Sequence, residues 1–227
     1  MGAVVWAIST RGADPDRNTS IGLFTSLPIL WSEEQSVSAM LSSTAPPHWA
    51  RNVLERRGTL LALDTLLDLS RTRRLVIAQP RPLMPEENVA LDNWVRGGGK
   101  LLLFADPMLT RESAFPLGDR RRPQDIALIS PILRRWGLQL RFDDSQPAAS
   151  RENTGEGLSV ALPGVLEAFP GGVEARCQIG PEGLVARCKI AKGQALIVAD
   201  AALLEADAAP AGKRTQFEAL LDQAFPR

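Results

Sequence analysis

Short apolar runs alternate along the chain with segments of helical spacing, and Gly, Pro and Ser clusters punctuate them. Ile21-Gly22-Leu23-Phe24-Thr25 is a run of buried-strand type, closed by Ser26-Leu27-Pro28. A helix is predicted over Pro47 to Arg57, where Trp49, Val53 and Leu54 fall at helical spacing and Gly58 supplies a stop. Thr59 to Leu63 reads as a second strand. Leu75-Val76-Ile77-Ala78 is a third, and Gln79-Pro80-Arg81-Pro82 must leave it as loop, because proline brings no N–H to a ladder.

The next segment carries the clearest pattern. Pro85 opens a helix, Glu86 and Glu87 sit in its first turn where the dipole favours acids, and Val89, Leu91, Trp94 and Val95 give an apolar side. Arg96 lies near its end, before Gly97-Gly98-Gly99, and Lys100 leads straight into Leu101-Leu102-Leu103-Phe104-Ala105-Asp106-Pro107. Strand, helix, glycine stop and strand make a βαβ unit, whose strands should run parallel with a right-handed crossover. A phosphate loop runs from strand to helix, whereas these glycines follow a helix and precede a strand. They read as a C-cap and a tight turn.

Residues 108 to 125 form a long loop rich in Arg, Pro and Gly. Ser130 is predicted to cap a short helix with Pro131 at its first position and Gly137 at its end; Leu138 to Phe142 follows as a strand. Beyond a polar linker, Val173 to Ile179 and Leu184 to Ile190 read as a hairpin around Gly180-Pro181-Glu182-Gly183. Ala195 to Asp200 is another buried strand, and Phe217, Leu220, Leu221 and Phe225 mark a closing helix. The segments Gly99 to Asp106 and Gly193 to Asp200 echo each other, as expected of two similar strands in one sheet. The alternation predicts an α/β fold. One doubly wound domain over 21–227 would hold a mainly parallel sheet with an antiparallel hairpin attachment, after a flexible segment at 1–20.

Composition narrows the function classes. The 227 residues carry 26 basic and 26 acidic side chains, so the basic excess of a general nucleic-acid binder is lacking. One His and two Cys leave too few soft ligands for a zinc site of the usual kind, and no metal or other cofactor is expected. No stretch reaches the ~18 to 20 apolar residues that span a bilayer. Met1 to Ile8 is apolar but short, without the positive n-region and cleavage site of a whole signal peptide. It reads either as loose N-terminal chain or as the cut end of a membrane anchor or export signal. Ser9 to Ser20 reads as a tether.

Ligands of open α/β sheets sit outside the carboxyl ends of the strands. The residues expected there are Ser26, Pro28 and Trp31 after the first strand, Gln79 and Arg81 after the third, Asp106 after the central one and Asp200 after the late one. Paired carboxylates at such an edge can act as acid and base or hold a cation. Asp is also a preferred helix cap, and capping is the favoured reading of both. Arg111, Arg120, Arg121 and Arg122 load the long loop with positive charge, interrupted by Glu112 and Asp119. They could clamp a phosphate, a carboxylate or a partner surface through bidentate forks, or pair with their own acids. No catalytic residue emerges. His48, the sole imidazole, lies at a predicted helix start beside Pro47 and Trp49, and no Gly-x-Ser-x-Gly elbow occurs.

Cys177 and Cys188 fall in the predicted hairpin strands. A two-residue Glu182-Gly183 turn would set them directly opposite, a four-residue loop would make them diagonal neighbours, and a three-residue loop would separate their faces. They are either a disulfide, which implies an oxidising compartment, or two small buried hydrophobes.

Leu75 to Arg81, Pro85-Glu86-Glu87, and the run from Trp94-Val95-Arg96 through Gly97-Gly98-Gly99-Lys100 to Asp106-Pro107 together resemble a known group. It is the class I glutamine-amidotransferase-like domains of gliding-motility ABC-transporter accessory proteins and their uncharacterised bacterial relatives. Ser130-Pro131-Ile132-Leu133 and Trp136-Gly137-Leu138 are similar to a short helix that precedes another strand there, so the likeness covers residues 21 to 142. The resemblance implies a flavodoxin-like sheet, export or membrane attachment, and a binding or scaffolding role. The amidotransferase nucleophile elbow has no Cys match, so no catalytic residue carries over. The expectation is a non-catalytic, envelope-associated domain, periplasmic or anchored facing the periplasm. Its partner would be a protein, such as a membrane complex, with no nucleic acid and an unidentified small-molecule ligand. The alternatives are a hydrolase or transferase acting on an anionic small molecule through Asp106 and Asp200, and a cytoplasmic scaffold.

Overall fold

The structure, a computed structural model, describes residues 19–31, 33, 47–147, 149, 151–152, 155–208 and 212–226. The expected N-terminal tether lies outside these residues up to residue 18, and Ser20 already belongs to the first strand. The first half of the chain contributes β1 (Ser20–Thr25), α1 (Trp49–Arg57), β2 (Thr59–Ala62), β3 (Arg74–Ala78), α2 (Pro85–Arg96) and β4 (Lys100–Phe104). The second half adds α3 (Ser130–Arg135), β5 (Leu138–Arg141), β6 (Arg151–Glu152), β7 (Ser159–Val160) and β8 (Val165–Ala168). It closes with β9 (Ala175–Ile179), β10 (Val185–Ile190), β11 (Gly193–Val198), a 3-10 turn at Ala202–Leu204, and α4 (Lys213–Ala224).

Seven strands form the main sheet in the order β2-β1-β3-β4-β11-β10-β9. The first five run parallel, and β10 and β9 attach antiparallel at one end. Through β11 this is the flavodoxin-type strand order, in which the winding reverses between β1 and β3. The protein is thus an α/β fold with a mainly parallel, flavodoxin-like sheet and an antiparallel hairpin attachment. The two echoing segments are neighbours in register, Gln194 opposite Lys100 and Val198 opposite Phe104.

Burial on both faces explains the unbroken apolar runs of the central strands. Leu75, Ile77, Leu101 to Phe104 and Ile197 are all 0% exposed. Each such side chain contributes on the order of 2 kcal/mol of transfer free energy. At the sheet's end the pattern alternates: in β10, Arg187 and Lys189 are exposed while Ala186, Cys188 and Ile190 are buried. Helix α4 buries Phe217, Leu220, Leu221 and Ala224 and packs on α1, β4 and β11, while α2 packs on β11 and α3.

Four expectations change. Val89 of α2 is 60% exposed, because the buried stripe runs through Glu87, Leu91 and Val95 and passes it by. Helix α3 begins at Ser130 itself, after Ile129, and has no side-chain cap. Strand β5 leaves the main sheet and pairs antiparallel with β8. The expected polar linker contains β6, β7 and β8; β6 and β7 pair only with each other. Strands this short, outside the main sheet, carry too few apolar positions to show a period.

In the hairpin, Cys177 stands directly opposite Cys188 and the two form a disulfide. The register centres the turn on Glu182-Gly183, where Gly183 takes φ 69, a left-handed conformation that a side chain would strain.

Candidate functional site

The carboxyl edge is organised first by Gln79, which is fully buried and holds φ 46 at the exit of β3. A left-handed non-glycine residue costs about 1 kcal/mol or more. Its bonds offset that cost. The side-chain amide donates to the carbonyls of Asp106 (3.1 Å) and Gln124 (2.7 Å), and its oxygen accepts the Asp106 N–H (2.9 Å). The Gln79 carbonyl accepts the Ser26 hydroxyl (2.5 Å), and that hydroxyl accepts the Gln124 N–H (3.0 Å). Gln79 and Ser26 therefore tie the ends of β1, β3 and β4 to the arginine-rich loop.

Two residues on, Arg81 is held by Glu87, the third residue of α2. The guanidinium donates to both carboxylate oxygens (2.7 and 2.8 Å) and to the Asp64 carbonyl (2.9 Å). Glu87 also accepts from the N–H groups of Met84 (3.0 Å) and Leu66 (3.2 Å) and from the Thr65 hydroxyl (2.9 Å). The Arg81 bond and these donors hold the buried Glu87 carboxyl down at about 2. Sequence reasoning placed Glu87 in the first helical turn for its dipole and missed its burial. The available signal was Arg81 beyond a proline-braced turn, six residues upstream.

Asp106 and Asp200 extend from the neighbouring strands β4 and β11, both buried. Asp106 accepts the N–H groups of Met108 (2.8 Å) and Ala201 (2.9 Å); Asp200 accepts those of Ala202 (2.7 Å) and Ala161 (2.9 Å). Each closes a local turn and clamps a distant segment. Asp200 sits just before the 3-10 turn, whereas the chain after Asp106 runs on as loop until α3 begins at Ser130. Burial pushes Asp106 up to about 7, against the pull of its two N–H donors. Burial and then the charge of Asp106 raise Asp200 well above the ordinary carboxylate range.

The long loop divides its arginines. Arg111 is largely buried, pairs with Asp207 (3.2 Å) and Glu33 (3.8 Å), and donates to the Glu205 carbonyl. Arg121 pairs with Asp119 (2.7 Å) over the Phe115 ring, and Arg122 pairs with Asp125 (3.1 Å). Arg120 is exposed and makes no hydrogen bond or ion pair among the described residues. Ser26, Trp31, Arg81, Arg120, Arg121 and Gln124 meet around one cavity of about 180 Å³ at the β1/β3 switch point. Asp106 and Asp200 are not among its lining residues.

His48 caps α1, its Nδ1 accepting the Ala50 N–H (3.2 Å), and burial lowers its basicity. Among the described residues no group of three or more His, Cys, Asp or Glu is placed to hold a metal ion. No helix among them is long and apolar enough to cross a membrane.

No protein-family model matches the chain, and no curated protein matches it in sequence. Among solved structures, a ThuA-like protein of Parabacteroides merdae aligns at 12% identity over 92% of this chain and 90% of its own, with a TM-score of 0.48. A ThuA-like protein of Bacteroides uniformis aligns at 11% identity over 96% and 94%, with a TM-score of 0.42. An exo-β-1,4-mannosidase of Opitutaceae bacterium strain TAV5 aligns at 15% identity over 92% of this chain, with a TM-score of 0.46. The chain spans about a third (34%) of that enzyme's length. The flavodoxin-like assignment rests on the strand order itself.

Proposed function

We propose that this chain is a non-catalytic α/β binding domain of the cell envelope, an accessory protein of the ABC-transporter type that meets its partner around Trp31 and the arginine loop. The observation that carries this reading is how the edge acids are engaged. All the carboxylate oxygens of Asp106 and Asp200 accept backbone N–H groups. Arg81, the natural anion holder at the switch point, is clasped by Glu87. Groups suited to acid–base or anion chemistry instead fix loops in place. Trp31 is 37% exposed beside the unpaired Arg120, and Trp and Arg are the residues most enriched at binding hot spots. The Cys177–Cys188 bond fits an oxidising compartment.

The test is a photo-reactive amino acid in place of Trp31, activated in cells that make the protein from its own chromosomal locus. Cross-links to a membrane transporter subunit are expected. Cross-links confined to cytoplasmic proteins would refute the reading. A hydrolase or transferase working on an anionic small molecule is favoured by one observation, the poise of Asp106 at about 7, near a general acid–base optimum. It requires turnover of such a substrate that Asp106→Asn abolishes without unfolding the chain.

A further inference from the structure

On one face of the sheet, in-register pairing lines up side chains across five strands: Arg74 on β3, Lys100 on β4, Gln194 on β11, Lys189 on β10 and Arg176 on β9. Directly paired residues share a face. Helix ends account for the first three. Arg74 donates to the carbonyl of Arg57 at the end of α1 (3.3 Å). Lys100 donates to the Pro226 carbonyl and Gln194 to the Ala224 carbonyl (2.8 Å) at the end of α4. Donors and cations at a helix C-terminus satisfy its last carbonyls and face the negative end of its dipole.

The row runs on past the helix. Lys189 gives one proton to the Lys192 carbonyl (3.1 Å), while Arg176 makes no hydrogen bond among the described residues, and neither belongs to an ion pair there. They face each other directly across β9 and β10, an arrangement in which like charges repel. In the adjacent row, Arg187 is neutralised by Glu156 (2.8 Å) and also bonds Gln223 (3.0 Å), whereas the exposed amide of Gln178 has no partner among the described residues. These groups surround a cavity of about 520 Å³ with Leu196 and Pro226 in its wall, within the size range of small-molecule sites.

We propose that this cavity binds a phosphoryl group through Arg176 and Lys189, with Gln178 as a neutral donor. A guanidinium fork and an ammonium point charge, about 5 Å apart at their Cβ atoms as cross-strand neighbours are, suit a tetrahedral oxyanion. A phosphate monoester carries a charge of about −1.5 to −2, enough to neutralise both cations, whereas a single carboxylate leaves one uncompensated. Charge on an edge strand also guards against strand-to-strand aggregation. That role needs neither a cavity nor a second cation in register. The site stands apart from the Trp31 face, so the two proposals fail independently.

The test is calorimetric titration of the full chain with inorganic phosphate and with glycerol phosphate. It is paired with flotation on vesicles of phosphatidic acid, a lipid phosphate monoester, and of phosphatidylcholine. Salt-sensitive phosphate binding is expected, weakened at least tenfold in the Arg176→Gln, Lys189→Gln double variant and kept within about threefold in Arg176→Lys. Flotation with phosphatidic acid and not with phosphatidylcholine, lost in the double variant, assigns the phosphoryl group to a lipid headgroup. Binding of the soluble esters without flotation assigns it to a free metabolite. No response in either arm, or binding unchanged in a double variant with native circular dichroism, overturns the proposal.

Discussion

The knot of Arg81 and Glu87 beside β3 and the pair of Asp106 and Asp200 at the ends of β4 and β11 put equally buried carboxyls to similar use. Glu87 and Asp106 are both 0% exposed, and each accepts backbone N–H groups that pin a loop. Their acidities move in opposite directions: Glu87 falls to about 2 and Asp106 rises to about 7. Burial raises both. What differs is the counter-ion: Glu87 has a bidentate guanidinium, while Asp106 and Asp200 form no ion pair among the described residues. Glu205 acts on both and Asp106 on Asp200, and the Lys213 amine reaches Asp200 only through space. Backbone donors alone do not outweigh desolvation here, whereas backbone donors with a cation do.

The largest expected effect follows from removing the charge of Glu87. Glu87→Gln leaves Arg81 without its partner and should cost about 2 to 3 kcal/mol in chemical denaturation, less than a fully buried ion pair, because the Arg81 side chain left behind is 37% exposed and water screens it. A loss below ~1 kcal/mol would show that the knot is a surface pair in disguise. Asp106→Asn should cost about 1 to 3 kcal/mol, because one of its two N–H partners loses its acceptor.

The pH response should separate the two regions. Between the ordinary value of 3.8 and about 7, folded Asp106 holds a proton that the unfolded chain releases. Its stabilisation is therefore complete below pH 3.8 and is lost as pH rises through about 7, with a slope of at most ~1.4 kcal/mol per unit for one group. Asp200 acts in the same direction. Glu87 has the opposite sign: its contribution is present above 4.5 and lost as pH falls toward about 2. Melting temperature should fall from pH 5 to pH 8, and Asp106→Asn should flatten that slope; a rise over this range would reverse the assignment. The smallest effect belongs to Arg81→Lys, which keeps the charge and loses the fork, for about 1 kcal/mol in the same denaturation assay.

Strands β1, β3, β4 and β11 are legible in sequence because central parallel strands are apolar on both faces, leaving short runs that turns delimit. β6, β7 and β8 are not, since their pairing partners lie outside the main sheet and their few residues carry no period. Asp106 and Asp200 read as capping residues from their position, and their bonds to the second residue onward have that form. Their long-range bonds to Ala201 and Ala161 depend on which segments meet, which no local pattern encodes. Gln79 and Arg81 are placed at the edge by the strand ending before them. That both face inward, to Gln124 and Glu87, follows from packing alone.

The bond between Cys177 and Cys188 has a consequence for how copies of the chain can mix. β9 is the last strand at one edge of the sheet, as β2 is at the other, and a strand paired on one side only is a candidate for exchange between molecules. Sewn to β10 across their shared register, it cannot be traded to a neighbour unless β10 goes with it. While the chain stays oxidised, the sheet carries a selvedge: its border can be approached but not unpicked.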